Sequence, residues 1–188
     1  MTKQSHYFIA VPIDERLKEK LANWNKNQNP PFKQFIDEAD YHITLVFLGG
    51  VEPSLFKGLK NSLAEISIDH ARFSLILNGI GFFGQEKDPR IFWAGVKKEE
   101  KLFRLQKAIF ETCTKLGFHL DVRPYTPHLT MARKYSGDIP YLNEKLKLSF
   151  QKALKEHSWN VSRFVIYQTH LNQTPKYEEI ASFSLGKK

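Results

Sequence analysis

Sulfur is nearly absent from this 188-residue sequence, which has one cysteine and two methionines. The lone thiol, Cys113, cannot close an internal disulfide and offers no Cys-based zinc motif, so neither kind of covalent staple is available. No apolar run approaches the roughly 20 residues that a membrane-crossing helix needs. The opening Met-Thr-Lys-Gln-Ser-His has no apolar leader core. A cytoplasmic, reducing compartment and no membrane association are the expectation. No uninterrupted run of Lys or Arg stands out, which disfavours an extended duplex-binding tail. The first predicted strand lacks a glycine-rich turn after it, which argues against a dinucleotide-binding sheet. No Gly/Ser/Pro linker divides the chain, so one domain is expected over residues 1–188.

What is present suits a folded protein with an anionic partner. Hydrophobic residues make up 41% of the chain, and 15 phenylalanines with three tryptophans supply a core without staples. The net charge of +8 favours approach of nucleotides or nucleic acid.

Periodicity gives a mixed order of elements. His6 to Pro12 reads as a strand, and Asp14 caps a helix to about Asn25 with Leu17, Leu21 and Trp24 on one stripe. Residues 25–40 read as a loop, and Tyr41 to Leu48 as a strand. Pro53 opens a helix with Leu55, Leu59, Leu63 and Ile66 in register. Strands follow at Arg72 to Ile80 and Arg90 to Val96, joined by a glycine-rich turn. Glu99 to Leu116 is the clearest helix, with Gly117 as its terminating glycine. His128 to Arg133 is a short strand, and the Lys-rich Tyr141 to His157 is partly helical. Trp159 to Gln168 and Tyr177 to Leu185 close the chain as strands. The pattern predicts an α+β fold with largely antiparallel pairing.

One feature recurs. Residues 42–45 are His-Ile-Thr-Leu and residues 128–131 are His-Leu-Thr-Met. Strand side chains alternate, so each copy presents an imidazole beside a hydroxyl on one face and apolar anchors on the other. A pair of histidines at such positions can exchange protons near neutral pH, and threonine is a short, stiff donor to phosphate oxygens. His42, His128, Thr44 and Thr130 are therefore the candidate site; Arg133 reads either as a further phosphate ligand or as a solvated arginine ending its strand. Arg90 and Arg123 read equally well as structural. Tyr125 and Phe47 are candidate base-stacking rings, with core packing the safer reading for Phe47. His6, His70, His119, His157 and His170 lack a paired threonine. The Lys-rich 145–155 stretch reads as a solvated helix face. No carboxylate or thiolate cluster accompanies the two histidines, so neither a metal nor another cofactor is expected.

With these residues in view, the sequence resembles the 2H phosphoesterase superfamily, specifically the RNA 2′,3′-cyclic phosphodiesterases historically called 2′-5′ RNA ligases. The likeness spans Phe8 to Pro12, His42 to Gly49, Arg90 to Trp93, Arg123 to Arg133 and Pro175 to Glu178. Two departures stand out: Met131 replaces the usual leucine, and Phe35-Ile36 stand where a tryptophan often precedes the first motif. The resemblance implies two lobes related by a pseudo-twofold axis, each an antiparallel sheet with outer helices, around a central cleft. It implies His42 as proton donor and His128 as the water-activating base; residue types alone leave that assignment open. The implied activity is hydrolysis of an RNA or nucleotide 2′,3′-cyclic phosphate to a 2′-phosphate; a monomer is a separate expectation, since the sequence does not show the oligomeric state. Ligation through a 2′-5′ bond would use the same residues, and a non-catalytic RNA or nucleotide binder is the alternative from another class.

Overall fold

The computed structural model describes residues 5–137, 144–154 and 157–186. The first half runs β1 (His6–Pro12), α1 (Glu15–Gln28), β2 (Phe32–Phe35), a 3-10 turn (Glu38–Asp40), β3 (His42–Gly50) and α2 (Pro53–Asp69). It continues with β4 (Phe73–Gln85), β5 (Asp88–Val96), α3 (Glu100–Lys115), β6 (His128–Tyr135) and α4 (Glu144–Leu154). Strands β7 (Ser158–Val161), β8 (Arg163–Thr169) and β9 (Tyr177–Ser184) complete it. The expected α+β class holds. Among the described residues, no helix is long and apolar enough to cross a membrane.

Local chemistry explains the helix ends. The Asp14 carboxylate accepts the Leu17 amide at 2.9 Å and starts α1. Helix α3 buries Leu102, Leu105, Ile109 and Cys113 along one stripe. It stops before Gly117, whose φ of 91° suits glycine. Burial pushes the Cys113 thiol up to about 12, so this thiol is a packing group.

The strands form one path in the order β7-β4-β5-β6-β3-β1-β8-β9, with β2 also on β6. All strand pairs are antiparallel. The path divides naturally at its centre, where β3 and β6 pair only through Ile43 and Leu129. On one side lie β3-β1-β8-β9 and on the other β6-β5-β4-β7, so the two motif strands are innermost in matching halves.

Three sequence expectations needed correction. The 25–40 loop contains β2 and the 3-10 turn, because Phe32 to Phe35 completes the edge of β6. The glycine-rich turn after Ile80 belongs to β4, which runs on to Gln85. The single strand Trp159 to Gln168 is two: Ser162 separates β7, paired with β4, from β8, paired with β1. The Lys-rich helix is Glu144–Leu154, burying Leu146, Phe150 and Leu154, while residues 141–143 and 155–156 of that expectation lie outside the described residues.

Each motif strand carries a one-residue bulge at the same place. Between Ile9 and Ala10 the partner on β3 advances from Val46 to Thr44, leaving Leu45 extra. Between Phe92 and Trp93 the partner on β6 advances from Ala132 to Thr130, leaving Met131 extra. A bulge reverses the inside–outside alternation beyond it. Position 47 and position 133 therefore return to the face that carries the histidines and threonines.

Candidate active site

The antiparallel pairing of Ile43 with Leu129 sets the geometry of the site. It places His42 across from Thr130 and Thr44 across from His128, with the two apolar residues of the pair buried beneath. His42, Thr44, His128, Thr130 and Arg133 all line one cleft of about 750 Å³. The five candidates from the sequence thus come together. Arg90, Arg123 and Tyr125 also line it. None of the other five histidines does.

Both imidazoles are held the same way. His42 Nδ1 lies 2.7 Å from the carbonyl oxygen of Asp40, and His128 Nδ1 lies 2.7 Å from that of Thr126. A carbonyl only accepts, so Nδ1 carries the proton in each ring and donates it. In the neutral form that leaves Nε2 with its lone pair. For His42 this nitrogen is 3.1 Å from Thr44 Oγ1.

The surroundings of the rings differ. His42 sits among Phe8, Tyr167 and Tyr177, with centroids 4.8, 5.7 and 5.2 Å away. His128 meets Phe83 edge-on at 4.8 Å and Trp93 at 6.3 Å. Trp93 has room there because Gly81 lies under its ring, where any Cβ would collide. Loss of water pushes His42 down to about 4, and the His128, Arg133 and Lys18 charges act in the same direction. His128 is lowered too, by burial first and Arg133 second, against the opposing hydrogen bond to Thr126. Burial therefore favours two neutral rings.

Arg133 bears on both histidines electrostatically, and among the described residues no carboxylate is ion-paired with it. Its counterpart in the other half, three residues after the motif threonine, is Phe47. The expectation that Phe47 packs in the core is overturned: it is 64% exposed, lines the cleft and leans on Phe8 at 5.7 Å. The bulge at Leu45 is the cause, since strict alternation from Thr44 would have turned position 47 inward. Tyr125 is partly buried with its ring against Phe103 at 5.5 Å, a packing role as well as a lining one. Arg123 is held by Asp121 through Nε at 2.8 and 3.0 Å, so its charge is already matched.

Residue-type reasoning missed Asp40, Tyr167 and Phe83 altogether, and gave no role to Phe8, Trp93 or Tyr177. Each acts through position in the fold. Among the described residues, no group of three His, Cys, Asp or Glu side chains suited to holding a metal ion occurs.

Comparison with known proteins agrees with this architecture. A family model described as the 2′-5′ RNA ligase superfamily matches residues 13–173. An RNA 2′,3′-cyclic phosphodiesterase of Geobacillus stearothermophilus is 44% identical over 97% of this chain, which spans only 58% of that relative's length. The RNA 2′,3′-cyclic phosphodiesterase of Bacillus subtilis (strain 168) is 38% identical over 96% of this chain and 97% of its own. Crystal structures of a phosphoesterase and of E. coli LigT complexed with 3′-AMP superpose with TM-scores of 0.80 and 0.79. They cover 98% and 97% of this chain, and 100% and 99% of their own. At 21% and 22% identity they bear on the fold alone. By its matched family model, its relatives and its paired His-x-Thr strands, this chain belongs to the 2′-5′ RNA ligase superfamily of 2H phosphoesterases.

Proposed function

We propose that this chain is an RNA 2′,3′-cyclic phosphodiesterase that opens the cyclic ester to a 2′-phosphomonoester without a metal. The observation that carries the reading is the matched pair of imidazoles on one cleft, each with Nδ1 tied to a carbonyl and Nε2 left for proton transfer. The names of the Geobacillus and Bacillus relatives point to the same substrate class.

In this mechanism His128 Nε2 takes a proton from water as its oxygen forms a bond to phosphorus. The P–O3′ bond breaks, and His42 Nε2 gives a proton to O3′. Thr44, Thr130 and Arg133 donate to the non-bridging oxygens, where negative charge gathers. The two rings must begin in opposite protonation states, and their apparent pKa values belong to the pair. Because burial depresses both, the anionic phosphate itself must stabilise the proton that His42 donates. Phe47, exposed beside the reacting groups, offers a stacking face for the base. The same reading takes residues 1–188 as one bilobal domain, acting as a cytoplasmic monomer.

The test is incubation of a nucleoside 2′,3′-cyclic phosphate with the protein in excess EDTA, followed by phosphorus NMR. Conversion to the 2′-monophosphate is expected. Binding without turnover would make the chain a nucleotide binder, and turnover only on adding a divalent ion would refute the two-histidine mechanism.

A further inference from the structure

Asp40 is a buried carboxylate, 5% exposed, to which the proposed chemistry gives no task. Ionised oxygens at such depth are costly unless hydrogen bonds replace water. Here the replacements come from a distant part of the chain. Oδ1 accepts the backbone N–H of Lys176 at 3.0 Å and of Tyr177 at 3.1 Å, and Oδ2 accepts Lys176 N–H at 2.9 Å. Two successive amides cradling one anion form a small nest of the kind backbone turns offer.

The other end of the same residue faces the catalytic cleft. Its carbonyl oxygen accepts His42 Nδ1–H at 2.7 Å. The 3-10 turn that carries it is itself fixed, by Asp37 Oδ1 accepting Ala39 N–H at 2.9 Å and by Lys18 Nζ donating to Ala39 O at 3.3 Å. Tyr177, whose amide Asp40 holds, stands edge-on to His42 at 5.2 Å and to Phe8 at 4.9 Å. The matching residue in the other half, Thr126, is exposed and has no carboxylate to reach out with. The bridge belongs to one half-site only.

We propose that Asp40 is a positioning residue for His42: its carbonyl fixes the ring, and its carboxylate, anchored on the Lys176 and Tyr177 amides, holds Tyr177 against that ring. The inference rests on His42 being an acid/base group, but its structural half can be read without turnover. A neutral imidazole kept by the carbonyl has its proton on Nδ1, and a released ring exchanges between tautomers.

Three variants test this on the full chain: Asp40→Ala, Asp40→Asn and Tyr177→Ala. Asp40→Ala is expected to lower kcat for a nucleoside 2′,3′-cyclic phosphate by about 10- to 100-fold, the usual cost of a misplaced reacting group, with KM within about threefold. Long-range proton–nitrogen spectra should show His42 changing from the Nδ1–H form to mixed tautomers. Asp40→Asn keeps an accepting oxygen and should stay within about fivefold of the parent, with the Nδ1–H signature intact. Tyr177→Ala, with Asp40 untouched, should lower kcat by about three- to tenfold while the signature is retained. Should Asp40→Ala fail to fold, the other two carry the test. Wild-type kcat in Tyr177→Ala, or an unchanged His42 spectrum in folded Asp40→Ala, would overturn the proposal. A parent protein that does not hydrolyse the ester would refute the functional reading and leave the tautomer result to judge Asp40.

Discussion

The two halves of the cleft begin as copies and end as different instruments. Both place a histidine, a threonine and a bulged apolar residue at the centre of the sheet, and both tie the ring to a carbonyl two residues earlier. They diverge one step outward. The first half encloses its ring among Phe8, Tyr167 and Tyr177 and throws Phe47 into the cleft; the second gives its ring Phe83 and Trp93 and throws in Arg133. In the proposed mechanism, this near-symmetry provides the two proton carriers that one phosphorus atom needs. Broken symmetry gives the cleft an aromatic side and a cationic side, which suits the asymmetric ester of the proposed substrate.

The largest break in that comparison comes from the rings themselves. His42→Ala and His128→Ala should each lower kcat by roughly 10²–10⁴, measured by release of the 2′-phosphate, because each removes a proton carrier that water replaces poorly. Next come the hydroxyls: Thr44→Val or Thr130→Val should lower kcat by roughly 10²–10³. Equal losses would mean that the two threonines share the charge evenly. A smaller loss at Thr44 would mean that its hydrogen bond to His42 Nε2 at 3.1 Å competes with phosphate.

The outward pair divides differently. Phe47→Ala should raise KM by about 5- to 100-fold with kcat nearly kept, since stacking is worth about 1–3 kcal/mol per base. Phe47→Trp should restore binding. Arg133→Met is expected to act on kcat as well, and a pure KM effect there would remove the distinction drawn between the two sides.

The smallest effect is in pH dependence. The donor must be protonated, so activity is lost as pH rises through its pKa. Depressed pKa values move that loss downward, hence the alkaline limb of kcat/KM for the free protein should lie below the ordinary histidine value of about 6.5. The limb of kcat, which reports the complex, should lie higher because the bound phosphate anion favours the charged ring. Coincident limbs would show that the phosphate leaves the rings untouched.

The sequence was most readable where local pattern and chemistry coincide. The His-x-Thr pairs, the stripe of α3 and the Asp14 cap are short-range features, and all five candidate site residues share the cleft. It was least readable where tertiary pairing decides. Phe47 obeys a bulge that depends on β1, β2 forms because β6 has a free edge, and Ser162 interrupts an apolar stretch whose two parts have different neighbours. Asp40 was invisible for the same reason, since its partners lie more than a hundred residues away.

The most direct test compares kcat on one nucleoside 2′,3′-cyclic phosphate for His42→Ala, His128→Ala and the double variant. Residues that act as a unit lose their effect together, so the double variant should be scarcely slower than the worse single one. Losses that multiply, or turnover that survives removal of both rings, would contradict a shared phosphorus atom.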